Sequence, residues 1–467
     1  MKKWHRYFWF FLTALGLAPR VWGVETNHPP CKPIPENVSL DQVWGGTRVN
    51  FDSIETDKAI YVGYFDKDRW LSIIKFNTCT GEINKSRLPS RFTGWDAHNS
   101  IAMELDKNGR IHIAGNMHAS PLVYGRMAIE DNIESIHLQS MTGIDEDNVT
   151  YPKFFFFPDG SLGFSYRSGV SGDGREIINR LSGIKWQRWL DRPLFSSTPD
   201  TTSVNAYHTG FQLGPDGYFH IAWVWRENTN IESNFHINYA KSKDLKNWKN
   251  SRGEPLTLPI TPANAETVDN IAQNSGLINN IKLGFNGNGR PTISYIKFDD
   301  HGFSQLFHAY QADLGWKIIQ STSWTYRWDP RGRGTIPSEI GFSGVLLQNG
   351  QLLEAVTQSK TGNTTLVYNP KTLLTISEKK GNLLTKNAKK IIRNIPQGAI
   401  LNIRKTRKSG KSHFNEFSIS WLSHPANNRD KPRVCQSVGL PCDFVSDLQL
   451  HSSTASGAPI EKMRREP

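Results

Sequence analysis

The chain has little of what builds helices, membrane spans or zinc modules. After the first 23 residues no apolar run approaches the roughly 20 residues that cross a bilayer, and no long segment shows a 3.6-residue apolar period. There are only four cysteines in 467 residues, without a CxxC or CxxH spacing. These absences argue against a helical bundle, a multi-span membrane protein and a zinc site.

Strand formers and turn residues are plentiful instead. The chain contains 15 Trp, 24 Phe, 38 Gly and 25 Pro, a composition that favours an all-β fold with few helices. At about 444 residues after the predicted cleavage site, it is also too long for one ordinary hydrophobic core. A closed repeat or a large barrel is therefore expected.

The N-terminus is typical of a secretory signal peptide. The basic stretch MKKWHR precedes the apolar run YFWFFLTALGLA, and VWG places small or β-branched residues before a cut near Gly23. We predict that residues 1–23 are removed, that no membrane span remains, and that the protein is secreted or periplasmic. An uncleaved N-terminal anchor is the alternative.

The cysteines lie after this segment, where an oxidising compartment permits disulfides. Cys435 and Cys442 are close enough in sequence to close a small loop, or Cys31 would reach this C-terminal pair. With Cys79 as the fourth thiol, three pairings exist, and the sequence does not choose among them.

The net charge of +12 predicts an acidic partner. For an exported protein this favours an acidic polysaccharide over nucleic acid. Part of the excess lies in the basic segment 386–411, which either binds the polyanion or forms a solvated sheet edge that discourages aggregation.

One phrase recurs along the chain: an apolar residue, a turn of Asp, Asn and Gly, and then an alternating strand. Each copy predicts a hairpin whose glycine takes a positive φ. The copies are LDKNGRIHIAG (Gly109), FPDGSLGFSYR (Gly160), LGPDGYFHIAWVWR (Gly217), FNGNGRPTISYIK (Gly289) and LLQNGQLLEAVT (Gly350). Their glycines lie 51 to 72 residues apart, a spacing typical of four-stranded propeller blades.

Two further segments, AIYVGYFDKDRWLSIIKFN and FSISWLSHPANNR, bring the count to seven blades, with six as the alternative. We predict a single seven-bladed β-propeller domain over residues 24–467, with the chain ends closing the last blade. YAKSKDLKNW resembles the Asp-box turn of sialidase-like propellers, in which the Asp ties a hairpin and the Trp packs between blades.

Two histidines occupy unusual positions. His98 and His118 stand at strand ends 20 residues apart, so one hairpin would bring both imidazoles to the same rim. They are either hydrogen-bonded turn residues or a titratable pair in a cleft. His112, in mid-strand between two isoleucines, is expected to be structural.

A second group lies in VNAYHTGFQLGPDGYFHIAWVWR. Tyr207 opens one strand and Arg226 ends the returning strand, which places a phenol beside a guanidinium suited to bind a carboxylate. The alternative is a surface arginine stacked on a tryptophan. A third group, Tyr166 and Arg167, leads into a loop of glycine and serine. Weaker members of the site are Asn99, His236 and Tyr239.

With these residues, the chain resembles the BNR-repeat family of bacterial propellers that includes the ulvan lyases of polysaccharide lyase families 24 and 25. The resemblance covers about residues 90–330. It rests on the order of DAHN, NMHASPLVY, YPKF, YRSGVSGDG, NAY, WVWR, YAKSKDLKNW and LPIT.

The resemblance implies β-elimination at C5 and O4 of a uronic acid in an acidic, sulfated polysaccharide, most closely ulvan. It implies His98, Tyr207 and Arg226 as catalytic groups, with Tyr166 beside Arg167 or Arg180 as a substitute for the tyrosine. The expected substrate-binding residues are His118, Asn99, Tyr166, Arg167 and Tyr239.

No cofactor is expected for catalysis, and the protein is expected to act as a monomer. Some members of these families carry a structural metal ion, and in this chain it would be zinc or calcium. The sequence leaves its ligands unknown, because the candidates His208, His220 and His236 lack a diagnostic spacing. A sialidase-like hydrolase is the first alternative, although glycosidases need two carboxylates and Asp96 is the only acid near these phrases. A noncatalytic carbohydrate-binding propeller is the second.

Overall fold

A computed structural model of the chain describes residues 31–197, 203–381, 395–408, 417–426, 428–433 and 440–452. In these ranges the chain is all-β, and its only helices are the 3-10 turns Ile133–Ser135 and Ile231–Ser233. No helix in the described part has the length and apolar character to cross a membrane. The predicted signal peptide lies outside the described residues.

The described strands form seven sheets that follow one another along the chain. Sheet 1 begins with β1 (Asn37–Trp44). Sheet 2 contains β2 (Asp52–Glu55), β3 (Ala59–Phe65), β4 (Trp70–Asn77) and β5 (Ile83–Arg91). Sheet 3 contains β6 (Ala102–Leu105), β7 (Ile111–Ala114), β8 (Tyr124–Met127) and β9 (Ile136–Leu138). Sheet 4 contains β10 (Val149–Phe156), β11 (Leu162–Val170), β12 (Asp173–Ser182) and β13 (Lys185–Arg188).

The next three sheets continue the same antiparallel order. Sheet 5 contains β14 (Asn205–His208), β15 (Gln212–Leu213), β16 (Phe219–Arg226), β17 (Asn234–Ser242), β18 (Trp248–Lys249) and β19 (Glu266–Asp269). Sheet 6 contains β20 (Lys282–Phe285), β21 (Pro291–Phe298), β22 (Ser304–Ala312) and β23 (Gly315–Gln320). Sheet 7 contains β24 (Ile340–Phe342), β25 (Leu346–Gln348), β26 (Gln351–Gln358), β27 (Gly362–Tyr368) and β28 (Thr375–Lys380).

The two ends of the chain meet in sheet 1. Its remaining strands are β29 (Ile400–Lys405), β31 (Phe417–Ser423) and β32 (Val445–Ser452), whereas β30 (Arg407–Lys408) pairs in parallel with β2. The strand order is β1-β32-β31-β29, and Asn37 lies opposite His451. β1, from the N-terminal part of the chain, is thus an edge strand of sheet 1 and pairs there with β32, from the C-terminal part.

The five repeated phrases are hairpin turns, as predicted. Their glycines have φ between 72° and 77°, a region in which a side chain would be strained. In the first turn Asp106 Oδ1 accepts hydrogen bonds from the backbone N–H of Asn108 at 2.8 Å and of Arg110 at 3.0 Å. The side chain therefore closes the turn that the glycine permits.

Large apolar side chains fill the spaces between sheets. Phe51, next to β2, stacks on Trp421 of β31 with 4.4 Å between ring centroids. In the Asp-box-like turn, Asp244 Oδ1 accepts hydrogen bonds from the backbone N–H of Lys246 and Asn247, and Trp248 is 1 % exposed. This turn has the form that the sequence predicts.

His112 belongs to the core, as expected for its mid-strand position. Its side chain is fully buried, with Nδ1 2.8 Å from the Tyr124 hydroxyl, which also accepts a hydrogen bond from Trp186 Nε1. Burial lowers the pKa of His112, although Asp106 opposes the effect. The neutral imidazole is a structural hydrogen-bonding group.

The N-terminal cysteine forms a disulfide with Cys79, which follows β4. The alternative pairing, in which Cys31 reaches the C-terminal cysteines, is therefore wrong. Cys442 is also disulfide-bonded, and Cys435 lies outside the described residues.

Three of the four basic side chains in the described part of the basic segment form ion pairs within the fold, whereas Lys405 is exposed. Arg407 lies 2.8 Å from Asp52 and 2.9 Å from Glu104, two carboxylates that are almost fully buried. Arg404 also pairs with Asp52, and Lys408 with Glu55. These three side chains form ion pairs within the fold, an arrangement that neither earlier interpretation, polyanion binding or a solvated sheet edge, describes.

Candidate functional site

Three neighbouring sheets bring polar side chains to the same end. In each sheet the first two strands in the strand order are joined by a hairpin turn at one end. The start of the first strand and the end of the second therefore lie together at the other end, which we call the rim. His98 precedes β6 and His118 follows β7; Tyr151 and Arg167 stand in the same places on β10 and β11. Tyr207 and Arg226 repeat that arrangement on β14 and β16. We call these residues, with Asp96, the rim cluster.

Asp96 holds the two imidazoles of the rim cluster together. Their ring centroids are 4.6 Å apart. Nδ1 of His98 lies 2.6 Å from one carboxylate oxygen of Asp96, and Nδ1 of His118 contacts the other. Asp430 approaches His98 Nδ1 to 3.7 Å from the opposite side. The two histidines are therefore adjacent, as the sequence predicts. The Asp96 carboxylate lies between them, whereas the sequence indicated Asp96 only as a nearby acid.

This arrangement selects the tautomer of each imidazole when it is neutral. Burial raises the pKa of Asp96, but the hydrogen bonds from His118 and His98 outweigh it and hold the pKa well below its usual range. An ionised carboxylate only accepts, so each imidazole carries its proton on Nδ1. When neutral, each ring then presents an unprotonated Nε2, while both remain partly exposed to solvent.

Tyr151 is the member of the rim cluster that sequence reasoning missed. It has a φ of 58° at a register shift between Thr150 and Lys153. Its ring centroid is 6.0 Å from that of His98 and 6.1 Å from that of Tyr207. The available signal was Pro152, because a proline inside a strand marks a bulge.

Arg167 is a buried cation with unused donors. Its side chain is 2 % exposed, and Nη2 donates to Thr150 Oγ1 at 2.9 Å. The same hydroxyl accepts from the backbone N–H of Ala119, next to His118. Nε and Nη1 have no hydrogen-bond partner among the described residues. An unmatched buried donor is costly, and a guanidinium in this state has donors left for an anion.

The second tyrosine–arginine pair lies beside the first. The Arg226 guanidinium is 5.0 Å from the Tyr207 ring centroid, so its aromatic partner is this tyrosine. Burial raises the pKa of Tyr207, but the charges of Arg226 and Arg167 lower it further, leaving the pKa below its usual value. For Tyr151, burial and the neighbouring phenol raise the pKa, so this hydroxyl stays protonated.

Three of the predicted residues lie away from the site. Tyr166 and Tyr239 are fully buried core side chains and present no surface to a substrate. The Tyr239 hydroxyl is 2.5 Å from His220 Nδ1. Arg180 contacts Asp159 near the opposite hairpin turn. Asn99 does belong to the rim, where its Nδ2 donates to the Asp96 carbonyl at 3.0 Å.

The described residues contain one group of potential metal ligands. Asp96, His98 and His118 form their only group of potential ligands close enough for one ion. Both Nδ1 atoms are already hydrogen-bonded to the two oxygens of that carboxylate, so the donor set is satisfied without a cation. His208, His220 and His236 form no such group.

We expect an Asp96→Asn variant to lose about 2 kcal/mol of unfolding free energy at neutral pH, since hydrogen bonds to a charged acceptor are lost. The pKa of Asp96 is lowered in the folded state, so its contribution is present above about pH 4, the unfolded value, and is lost as pH falls. Urea unfolding at pH 7 and pH 3 would measure it. Asp313→Asn, at an exposed ion pair, is the control; an equal deficit at both pH values would contradict the assignment.

Known proteins resemble this chain in sequence and in fold. The family model described as "BNR repeat-containing family member" matches residues 59–324. The long-isoform ulvan lyase of Pseudoalteromonas sp. (strain PLSV) is 24% identical over 250 residues, covering 41% of this chain and 25% of the relative. The short-isoform ulvan lyase of Alteromonas sp. (strain LOR) is 25% identical over 277 residues, covering 45% of this chain and 52% of that protein.

Solved structures share the fold at low identity. The crystal structure of polysaccharide lyase Uly1 superposes with a TM-score of 0.56 at 16% identity, covering 91% of this chain and all of that one (100%). A PL25 ulvan lyase structure gives 0.54 at 13% identity, covering 83% of this chain and 93% of the other. The alignments span a quarter to about half the length of the curated relatives. Because the family model matches more than half of the residues, the chain belongs to the BNR repeat-containing family.

Proposed function

We propose that this protein is a secreted polysaccharide lyase that cleaves a uronic-acid polysaccharide, with ulvan as the first substrate, by β-elimination. The observation that carries the proposal is Arg167, a buried guanidinium with two unpaired N–H groups beside a tyrosine and an imidazole pair. The names of the relatives support the substrate class. The Cys31–Cys79 disulfide is consistent with export.

Arg167 neutralises the uronate carboxylate. Its positive charge attracts the carboxylate, and Nε and Nη1, which lie on different edges of the guanidinium, are the N–H donors without a partner among the described residues. Withdrawal of negative charge makes the C5 proton more acidic and stabilises the enolate that develops at the carboxylate. The Thr150 hydroxyl holds Arg167 in place and connects it to the loop of His118.

His98 acts as the base and Tyr151 as the acid. Nε2 of neutral His98 takes the C5 proton, the electron pair forms the C4–C5 double bond, and the C4–O4 bond breaks. Tyr151, whose pKa is raised, donates its proton to the departing O4. The 6.0 Å between the two ring centroids allows the proton to return from the imidazole to the phenolate.

The remaining rim residues position these groups. Asp96 orients both imidazoles, and His118 faces the substrate beside the base. Arg226 and Tyr207 form a second pair, with the Tyr207 hydroxyl 2.7 Å from Ser171 Oγ. The sequence predicts that Arg226 binds the carboxylate and that Tyr207 transfers a proton, and both remain candidates for these roles. Matched variants distinguish this pair from Arg167 and Tyr151.

We also propose that the seven sheets are the blades of a β-propeller. The sheets follow one another in chain order, and sheet 1 combines both chain ends. Such an arrangement closes a ring without leaving a free edge between the first and last blades. The rim cluster then lies where loops of sheets 3 to 5 gather.

A glycosidase mechanism is less favoured because the nearby carboxylates are committed to hydrogen bonds. Asp96 accepts from both histidines, and Asp430 accepts from the backbone N–H and hydroxyl of Thr335 at 2.9 and 2.6 Å. Neither is placed as a free acid or nucleophile, as a glycosidase requires.

Ultraviolet absorbance during incubation with ulvan tests the reaction, because elimination conjugates the new double bond with the carboxylate. We expect the signal to rise, and to rise about 100-fold more slowly in Tyr151→Phe. Tyr207→Phe is the matched control, with a smaller expected loss. Absorbance that stays flat while reducing ends appear would indicate a hydrolase, and a flat signal with neither would leave carbohydrate binding as the function.

A further inference from the structure

Trp95 helps to line a polar pocket that contains none of the residues of the rim cluster. It is lined by Trp44, Lys67, Arg69, Arg91 and Trp95, among others. Trp95 directly precedes Asp96 in sequence. The three residues from Trp95 to His98 span at most about 11 Å, so one extended polymer chain can reach both places. We call this the Trp95 pocket.

The aromatic rings of the Trp95 pocket form its floor. Trp44 and Trp95 meet edge to face with 5.2 Å between centroids. The guanidinium of Arg69 lies 3.9 Å from the Trp44 ring centroid, and Nη2 donates to the Gly94 carbonyl. Arg69 also has a φ of 70°, which costs energy for a residue with a side chain and marks a conformation held by its surroundings.

The cations of this pocket are not neutralised by ion pairs. Among the residues that the structure describes, neither Arg69 nor Arg91 has a carboxylate within salt-bridge distance, although Asp68 and Asp443 also line the pocket. Asp68 is instead paired with Arg87 at 2.8 Å. Arg69 Nε is buried without a hydrogen-bond partner. Burial and the charge of Arg91 lower the pKa of Arg69, as expected for two cations that face each other.

We infer that the Trp95 pocket is a remote subsite for an anionic sugar of the polysaccharide, one that bears a sulfate or a carboxylate group. The cations supply charge complementarity, and the partly exposed indole of Trp95 supplies an apolar face for the sugar ring. The inference rests on the proposed function for the identity of the polymer. It concerns binding away from the reacting bond, so it predicts an effect on substrate affinity and not on chemistry.

The test uses Arg91→Glu in the full chain, because Arg91 is exposed and its replacement should leave the fold intact. We expect KM for polymeric ulvan to rise about tenfold, as for loss of a hydrogen bond to a charged group, with kcat unchanged. Arg252→Glu, at an exposed site in sheet 5, is the control for net charge.

Binding is measured separately from turnover, in a His98→Ala background, by electrophoresis through gels containing ulvan, polygalacturonate or dextran sulfate. Retardation weakened by Arg91→Glu but not by Arg252→Glu supports the subsite, and the responsive polymer tells sulfate from carboxylate. Equal retardation of the two variants, or no retardation of the parent, overturns it. If the parent protein gives no change in ultraviolet absorbance but Arg91→Glu still selectively weakens retardation, the lyase proposal is rejected and the binding pocket is retained.

Discussion

An Arg167→Lys variant is expected to lose about 1,000-fold in kcat/KM on ulvan, the upper range for removing one preorganised donor to a developing anion. Lysine keeps the positive charge but not the planar guanidinium, so the donors at Nε and Nη1 are lost. It would also lose the contact from Nη2 to Thr150. The loss should appear mainly in kcat, because charge develops on the carboxylate during proton removal.

Arg226→Lys is the matched control, since Arg226 is 8 % exposed and stands at the same place on the next sheet. We expect it to lose no more than about tenfold. Initial rates from ultraviolet absorbance, with thermal melting as a check on folding, measure both variants. The reverse order would assign the carboxylate to Arg226, as the sequence predicts, and would move the acid from Tyr151 to Tyr207.

Arg407→Met should destabilise the folded protein by about 3–5 kcal/mol, the range for breaking a buried ion pair by removing one partner. Glu104 would lose its ion pair with Arg407, Asp52 would keep only Arg404, and the Met103 carbonyl would lose a donor at 2.7 Å. Burial lowers the pKa of Arg407, but the two carboxylates raise it further, so this side chain is charged throughout the accessible pH range.

Urea unfolding measures the effect of Arg407→Met. Arg404→Met is the control, because Arg404 contacts Asp52 at 3.2 Å from a more exposed position, and about 1 kcal/mol is expected. Adding Glu104→Gln to Arg407→Met should recover part of the loss, since it removes the buried charge whose ion pair with Arg407 has been lost. Similar midpoints for both single variants would show that the basic segment makes no specific contribution.

Local patterns in the sequence predicted the hairpins well. The turn at Gly109 needs only a residue that tolerates positive φ and an aspartate that accepts from its own backbone, and both lie within five residues. The same holds for Asp244 and Trp248 in the Asp-box-like turn. Interactions that close within one turn can be inferred from order alone.

Contacts between sheets could not be inferred in this way. Arg407 and its partner Asp52 are 355 residues apart, and no local feature relates them. Tyr151 depends on a bulge whose direction is set by sheet packing, although Pro152 marks its position. Tyr166 and Tyr239 alternate as strand residues should, but alternation does not tell which side faces a cleft when both sides of a sheet are covered.

Sheet 1 also imposes an order on biosynthesis. Asn37 is hydrogen-bonded to His451, 414 residues later, so β1 cannot acquire its partner until the chain as far as β32 has left the ribosome. The entropic cost of loop closure grows only with the logarithm of loop length, so the pairing of β1 with β32 is stable at equilibrium. Its formation is slow, because contacts between residues distant in sequence form slowly. Until then β1 is an unpaired edge exposed to other chains, and translation or export arrested before β32 should yield an aggregation-prone intermediate.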